Sequence, residues 1–201
     1  MTDHIITPAI ENRPVAFTQA EIGWTPWLKP LAEDDLTEAH LAGLVEASRA
    51  KSPYFRLLVR DPQVLEARTK TDKDIFYNTR TGLPRAEREL AATAASRSNG
   101  CIFCASVHSR FAAHHSKRGD DVQKLLDEGV EVDLGDRWNA IIAASVALTA
   151  TPPTLDDEHI ERLSAAGLDE LEIADVIHGA AFFNWANRLM LSLGEPTPAV
   201  Q

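Results

Sequence analysis

Cysteine is scarce in this chain, where Cys101 and Cys104 are the only two among 201 residues. Small secreted domains that cannot build a sufficient core rely on several disulfides, so a disulfide scaffold is excluded. Two close cysteines in a chain without others are more typical of redox chemistry or metal binding than of a structural link. The pair is therefore the first candidate for a reactive site.

Long apolar runs and an excess of basic residues are also missing. No stretch approaches the roughly 18–20 apolar residues of a membrane-spanning helix, so no membrane association is predicted. Met1–Ile6 show no basic segment followed by an apolar run, which predicts no secretory signal and a cytoplasmic protein. The 30 acidic residues against 20 basic ones give a formal net charge of −10, which argues against a nucleic-acid surface and favours a neutral or small substrate.

Strand signals are missing as well, because no run alternates with period two between turn residues. Apolar residues recur instead at helical spacing, which predicts an all-α fold with short connections between antiparallel neighbours. The predicted helices cover residues 36–50, 61–77, 84–97, 101–117, 120–128, 135–150, 154–166 and 169–193.

Two units are predicted along the chain, an N-terminal arm over residues 1–35 and a helical domain over residues 36–201. Prolines interrupt any periodicity in the arm, at Pro8, Pro14, Pro26 and Pro30. Its large aromatic side chains, Trp24 and Trp27, are expected to pack onto the body or onto a neighbouring subunit.

The two cysteines and His108 form the most informative motif of the sequence. Cys104 follows Cys101 by three residues and His108 follows Cys104 by four, so a helix places all three side chains on one face. Two thiols that can meet are able to reduce a peroxide or to exchange a disulfide, because one can attack and the other can resolve the sulfenic acid. His108 is the local proton carrier.

Two further points follow from position. Cys101 comes directly after Asn99-Gly100, so it lies at a helix start, where free N–H groups and the helix dipole favour a thiolate. A carboxylate on the preceding helix could orient the imidazole or reach the thiols, and both Glu87 and Glu89 are candidates by sequence alone. Glu89 is followed by the small residues Ala92, Thr93 and Ser96, which permit close helix packing.

Three other interpretations of the motif compete with peroxidase chemistry. The cysteines could be small core residues, or they could bind zinc together with His108 and a fourth ligand. They could also serve a redox-sensing or disulfide-exchange protein with little peroxidase activity.

Attachment of c-type haem is excluded, since Ala105 stands where that motif has histidine. Asn184, Asn187 and Arg188 lie on one helix face and are expected to be structural.

The segment from Glu89 through Cys101 and Cys104 to His108 resembles the AhpD-like / carboxymuconolactone decarboxylase superfamily. The resemblance covers about twenty residues, and the helical surroundings agree with the family's all-α bundle. It implies alkyl hydroperoxidase chemistry without a cofactor or metal. Cys104 would be the peroxidatic thiol, Cys101 the resolving thiol, and Glu89 with His108 the proton relay.

The same resemblance implies partners and one departure. An organic hydroperoxide or another small electrophile would be the substrate, an unidentified dithiol the reductant, and a trimer or hexamer the assembly. Phe103 stands where the best-studied hydroperoxidase branch carries a histidine, so the chain is closer to peroxidase-related members of unassigned substrate. The decarboxylase branch lacks the paired cysteines, so lactone decarboxylation is not expected.

Overall fold

The computed structural model describes residues 5–7, 13–78 and 80–198, and within them it is an all-α protein with one small sheet. The all-α prediction is therefore confirmed. No helix among these residues is long and apolar enough to cross a membrane. The helices are α1 (Glu38–Gly43), α2 (Pro53–Leu58), α3 (Pro62–Tyr77), α4 (Arg85–Ser98), α5 (Ile102–Ser116), α6 (Gly119–Glu128), α7 (Asp136–Thr149), α8 (Asp157–Ala165) and α9 (Glu170–Leu193), and the strands are β1 (Gly23–Pro26) and β2 (Gly194–Thr197).

Helix α4 lies at the centre of the bundle and packs against α5, α7 and α9. Its side chains are buried continuously from Glu87 to Ser96. Four alanines in this stretch are fully buried, and their small volume allows the neighbouring helices to approach closely. They are Ala91, Ala92, Ala94 and Ala95. The carboxylate Glu89 is thus carried into the interior by the most enclosed helix.

The helix ends follow the capping signals of the sequence, with one shift. The side chain of Asp169 accepts from the N–H of Glu172, and the Glu172 side chain returns the bond at the start of α9. The predicted helix at 154–166 begins only at Asp157. Asp156 is the residue that caps it, because its carboxylate accepts from the N–H of His159.

The predicted helix over residues 36–50 was wrong in its length. It ends at Gly43, and Val45 adopts a left-handed backbone with φ of 65° that no regular helix accommodates. The chain continues through a 3₁₀ turn at Ala47–Lys51 and then the short helix α2. The break brings α2 and its aromatic residues toward the cysteine helix.

The prediction of no strands was also wrong, because β1 of the arm pairs with β2 at the end of the domain in an antiparallel ribbon. Trp24 packs edge-on against Tyr54, with ring centroids 5.6 Å apart, and belongs to the same apolar cluster as the two cysteines. Packing of Trp24 onto the body is therefore confirmed. Trp27 is 38% exposed. Pro8 lies outside the described residues.

Candidate active site

Both cysteines lie at the start of α5, as their sequence position predicts. Cys101 is the N-cap residue, and Gly100 supplies the turn before it with a positive φ of 75°. Cys104 and His108 follow on the same helix, one and two turns further on. The thiols are not joined to each other in this structure.

A cavity of about 380 Å³ opens beside this stripe, a size within the range of small-molecule sites. Cys104, His108 and Glu89 are part of its wall, whereas Cys101 is not. Cys101 is 2% exposed and Cys104 is 6% exposed. A small molecule in the cavity therefore meets Cys104 first, with Cys101 behind it. The remaining wall is rich in aromatic side chains, which come from Tyr54, Phe55, Phe76, Tyr77, Phe103, Phe111 and Phe183.

Glu89 and His108 are directly bonded across the α4–α5 interface. The Oε2 atom of Glu89 lies 2.5 Å from Nδ1 of His108, while Oε1 accepts from Nε of Arg85 at 2.6 Å. Glu89 is fully buried, and the side chains of Arg85 and His108 are each 14% exposed. Because the carboxylate accepts from Nδ1–H, the Nε2 atom of the imidazole is free to exchange a proton.

Aromatic rings fix the plane of that imidazole. The ring of Phe183 lies 4.0 Å from the ring of His108, and that of Phe76 lies 5.4 Å away, both measured between centroids. Phe183 comes from α9 and Phe76 from α3. The proton carrier is therefore held by three different elements, which limits its movement.

The two thiols ionise unequally because they interact. The hydrogen bond from the Cys104 thiol is the main cause that lowers the pKa of Cys101, and the Cys104 backbone and Asn187 amide act in the same direction against burial. The same contact with Cys101, followed by burial, raises the pKa of Cys104 well above its ordinary range. The pair thus loses its first proton from Cys101 and keeps the proton on Cys104.

Asn187 is a residue that the sequence predicted only as structural, and the structure gives it a place behind the thiols. It is fully buried. Its Nδ2 donates to Oγ of Ser96 at 3.0 Å, and its Oδ1 accepts from Asn99 at 3.1 Å. Asn187 also lowers the pKa of both cysteines, although other causes have larger effects. No spacing signal could have found it, because the contact joins α9 to α4 and the start of α5.

The structure separates the two glutamates that the sequence left as alternatives. Glu87 faces away from the cysteines and forms a two-pronged ion pair with Arg137, with N–O distances of 2.8 Å. Glu89 alone of the two meets His108. Within residues 5–7, 13–78 and 80–198, no three His, Cys, Asp or Glu side chains are arranged to hold a metal ion.

Part of the chain that includes these residues matches a known protein family. The sequence profile of the carboxymuconolactone decarboxylase family matches residues 62–147, which include Glu89, both cysteines and His108. Among curated proteins, none matches the chain significantly.

Solved structures share the fold at low sequence identity. An uncharacterized peroxidase-related protein from Ralstonia eutropha JMP134, with an alkylhydroperoxidase AhpD core, superposes with a TM-score of 0.68 at 18% identity, over 93% of this chain and 92% of that one. An uncharacterized peroxidase-related protein from Silicibacter sp. TM1040 superposes with a TM-score of 0.67 at 18% identity, over 93% of this chain and 92% of that one. The debrominase Bmp8 superposes with a TM-score of 0.66 at 18% identity, over 82% of this chain and 88% of its own.

Proposed function

Because residues 62–147 match the carboxymuconolactone decarboxylase family and the fold is that of AhpD-like, peroxidase-related proteins, we propose that the chain is a member of this superfamily and a thiol-dependent peroxidase that reduces an organic hydroperoxide to an alcohol. The observation that carries this proposal is the wall of the cavity. It presents a thiol, Cys104, beside an imidazole that is hydrogen-bonded to the buried carboxylate of Glu89. A second thiol, Cys101, lies directly behind the first and ionises more readily.

The first step forms a sulfenic acid. The Cys104 sulfur bonds to the terminal oxygen of the hydroperoxide, and the O–O bond breaks. The thiol proton passes through His108 to the leaving alkoxide, which departs as the alcohol. Glu89 stabilises the imidazolium that forms in transit, and Arg85 holds the other oxygen of the same carboxylate.

The second step closes a disulfide. The Cys101 thiolate attacks the sulfur of the Cys104 sulfenic acid, and the S–S bond replaces the S–O bond. Hydroxide leaves and becomes water by taking a proton that His108 relays from the solvent. The two thiols have then supplied both electrons, so a dithiol reductant that can reach the sulfurs through the cavity must reduce the disulfide before the next cycle.

Phe103 leaves the proposed proton relay one member shorter than in the best-studied hydroperoxidase branch. Where the hydroperoxidase branch has a histidine, this aromatic side chain adds to the apolar wall of the cavity. His108 and Glu89 are then the whole relay in this proposal. The cytoplasmic location, the external dithiol reductant and a homotrimer or homohexamer are parts of the same proposal.

The proposal is tested by stopped-flow loss of free thiols from the reduced protein, mixed with cumene hydroperoxide or hydrogen peroxide. Mass spectrometry should identify an intramolecular disulfide between Cys101 and Cys104 as the product. The apolar wall leads us to expect faster reaction with cumene hydroperoxide. If both thiols remain reduced for minutes at millimolar peroxide, the peroxidase proposal fails.

A second candidate function is reductive dehalogenation of a small aromatic compound. The debrominase Bmp8 shares the fold, and a variant of it has been crystallised with 2,3,4-tribromopyrrole. The aromatic wall of the cavity beside Cys104 would suit a planar ring. The electron balance is the same, since two thiols become a disulfide while carbon–bromine becomes carbon–hydrogen and bromide leaves. Bromide release from brominated pyrroles, without peroxide consumption, would select this function.

Disulfide exchange with a protein partner is less favoured by the geometry. Both sulfurs are almost fully buried, and a protein disulfide needs direct access to the attacking sulfur. Fast exchange with dithiol proteins, together with slow peroxide consumption, would restore that alternative.

The unequal ionisation of the thiols gives a pH prediction. Thiolate absorbance of the reduced protein should rise in two steps, one below and one well above the ordinary cysteine pKa of about 8.5. In Cys104→Ala the lower step should move upward, because the main cause that lowers the pKa of Cys101 is gone. Disulfide formation from the Cys104 sulfenic acid should become faster as pH rises through the lower step, since Cys101 then attacks as the thiolate. A single transition near 8.5 for both thiols would contradict the assignment.

A further inference from the structure

Arg68 and Arg49 are the positively charged residues of the cavity that the proposed chemistry does not use. Both line the same cavity as Cys104. The side chain of Arg68 is 9% exposed and that of Arg49 is 15% exposed. Buried guanidinium groups are normally fully hydrogen-bonded, because an unpaired buried donor costs free energy.

These two guanidinium groups are not fully paired. Within the described part of the chain, Nε of Arg68 and Nη1 of Arg49 are buried without a hydrogen-bond partner. Asp72 lies 3.5 Å from Nη1 of Arg68, which is longer than a good N–H···O bond. Arg49 is held by Glu46 at 3.3 Å, but that carboxylate also binds Lys73 at 2.5 Å.

The charges around the cavity leave a positive surplus at this place. Its charged wall consists of Arg49, Arg68 and Arg85 against Asp72 and Glu89. Arg85 and Glu89 neutralise each other. Among the described residues, Asp72 is then the lining carboxylate that remains for two guanidinium groups, and Glu46, outside the wall, is shared between Arg49 and Lys73. This surplus lies in a protein whose overall charge is −10. A local surplus of this kind attracts an anion.

Arg68 is separated from the proton carrier by apolar rings. The centroid of Phe183 lies 4.0 Å from that of His108, the centroids of Phe182 and Phe183 are 5.7 Å apart, and the Arg68 guanidinium carbon lies 5.3 Å from the Phe182 centroid. Because the cavity wall is also rich in aromatic rings, a ligand that reaches both Cys104 and Arg68 needs an apolar body between a reacting end and a charged end. The cavity of about 380 Å³ has room for about a dozen water-sized groups at about 30 Å³ each.

We propose that Arg68, with Arg49 beside it, is a carboxylate-binding subsite, and that the substrate is an organic acid whose apolar body carries the reducible group. The choice of hydroperoxide as that group depends on the proposed function, whereas the subsite does not. A planar guanidinium binds a carboxylate in two-pronged fashion, so Arg68 fixes the acid end while the opposite end is presented to Cys104. Cumene hydroperoxide would then be a poor mimic of the true substrate.

The test uses two ligands that cannot be reduced, para-isopropylbenzoate and para-isopropylbenzamide, titrated into the reduced protein by calorimetry. The acid should bind about tenfold or more tightly than the amide, because its bonds to Arg68 involve two charges. Arg68→Gln should abolish that preference and leave amide binding unchanged. Lys70→Gln is the matched control, since this substitution removes one positive charge from the same helix. Lys70 pairs with Glu66 and does not line the cavity.

Each other outcome overturns the subsite. Equal binding of acid and amide by the wild type excludes it, and so does an Arg68→Gln variant that weakens both ligands alike. If Arg68→Gln does not fold, Arg68→Lys should keep part of the preference, because it keeps the charge but not the planar fork. The result is independent of turnover: a protein that prefers the acid but reduces no hydroperoxide retains the subsite and loses the proposed function. A protein that reduces cumene hydroperoxide but binds acid and amide equally retains the proposed function and loses the subsite.

Discussion

Cys104→Ser should abolish peroxide reduction, whereas Cys101→Ser should react once and stop at a sulfenic acid. The physical reason is the position of the two sulfurs. Cys104 forms part of the cavity wall, and Cys101 lies behind it, so only Cys104 can approach the O–O bond. A serine hydroxyl is not a comparable nucleophile toward a peroxide. Without Cys101, the sulfenic acid on Cys104 has no thiol to resolve it.

The measurement combines stopped-flow kinetics with dimedone trapping and mass spectrometry. Cys104→Ser should consume peroxide at the uncatalysed rate, and Cys101→Ser should bind one dimedone per chain, on Cys104. Ser106→Ala is a control on the same helix, since Ser106 is buried, bonds to the carbonyl of Phe103 and does not line the cavity. It should keep wild-type turnover. A sulfenic acid on Cys101 in the Cys104→Ser variant, formed at the wild-type rate, would reverse the two roles.

The local physics of the sequence and the family resemblance gave different nucleophiles, and the proposed mechanism reconciles them. The helix start predicts the thiolate at Cys101, and the pKa of Cys101 is lowered, mainly by the hydrogen bond from the Cys104 thiol and less by the Cys104 backbone at the helix start. The resemblance predicts attack by Cys104, which is the sulfur that faces the cavity. A low pKa does not suffice for attack when the thiolate is hidden from the substrate. It suits a resolving thiol, which must be ionised when the sulfenic acid forms next to it.

What could be predicted from the sequence was local in the chain. The stripe of Cys101, Cys104 and His108 is set by the period of one helix, so its geometry followed from spacing alone. Glu89 lies on another helix, and spacing could not distinguish it from Glu87. The difference between the two depends on which face of α4 meets α5, and α4 is buried on all sides, so no polar face marks the direction.

Contacts between distant segments could not be predicted. Asn187 reaches Ser96 across 91 positions of the chain, and its amide looks like any helical polar residue until α9 is packed. The β1–β2 ribbon is similar, because Gly23–Pro26 is too short and too rich in proline and glycine to show an alternating pattern. It forms because the end of α9 offers backbone partners, such as the Leu193 carbonyl that accepts from Trp27 at 2.7 Å. Arg68 escaped prediction for the same reason, since an arginine on a helix is usually exposed.

The second large effect is expected for Glu89→Gln, which should lower the rate of sulfenic acid formation from tert-butyl hydroperoxide by about 10²–10⁴-fold. Glutamine keeps the shape but loses the charge that stabilises the His108 imidazolium, so the alkoxide leaves without a ready proton. The variant should also lose about 3–5 kcal/mol of stability, because Arg85 remains partly buried without its carboxylate. Urea denaturation measures the loss of stability. It also gives the folded fraction, by which the rate of sulfenic acid formation is corrected.

Glu87→Gln is the control that separates an effect on the proton relay from an effect on the free energy of unfolding. Glu87 lies on the same helix, is 8% exposed and pairs with Arg137, so its loss should destabilise the protein without slowing the folded fraction.

The leaving group gives the sharper test of Glu89 as a positioning residue for the relay. Peracetic acid releases acetate, which needs no proton to leave, whereas tert-butyl alkoxide does. Glu89→Gln should therefore slow tert-butyl hydroperoxide much more than peracetic acid. Equal slowing of both oxidants would mean that Glu89 only holds the helices in place, since a distorted Cys104 would react poorly with either one.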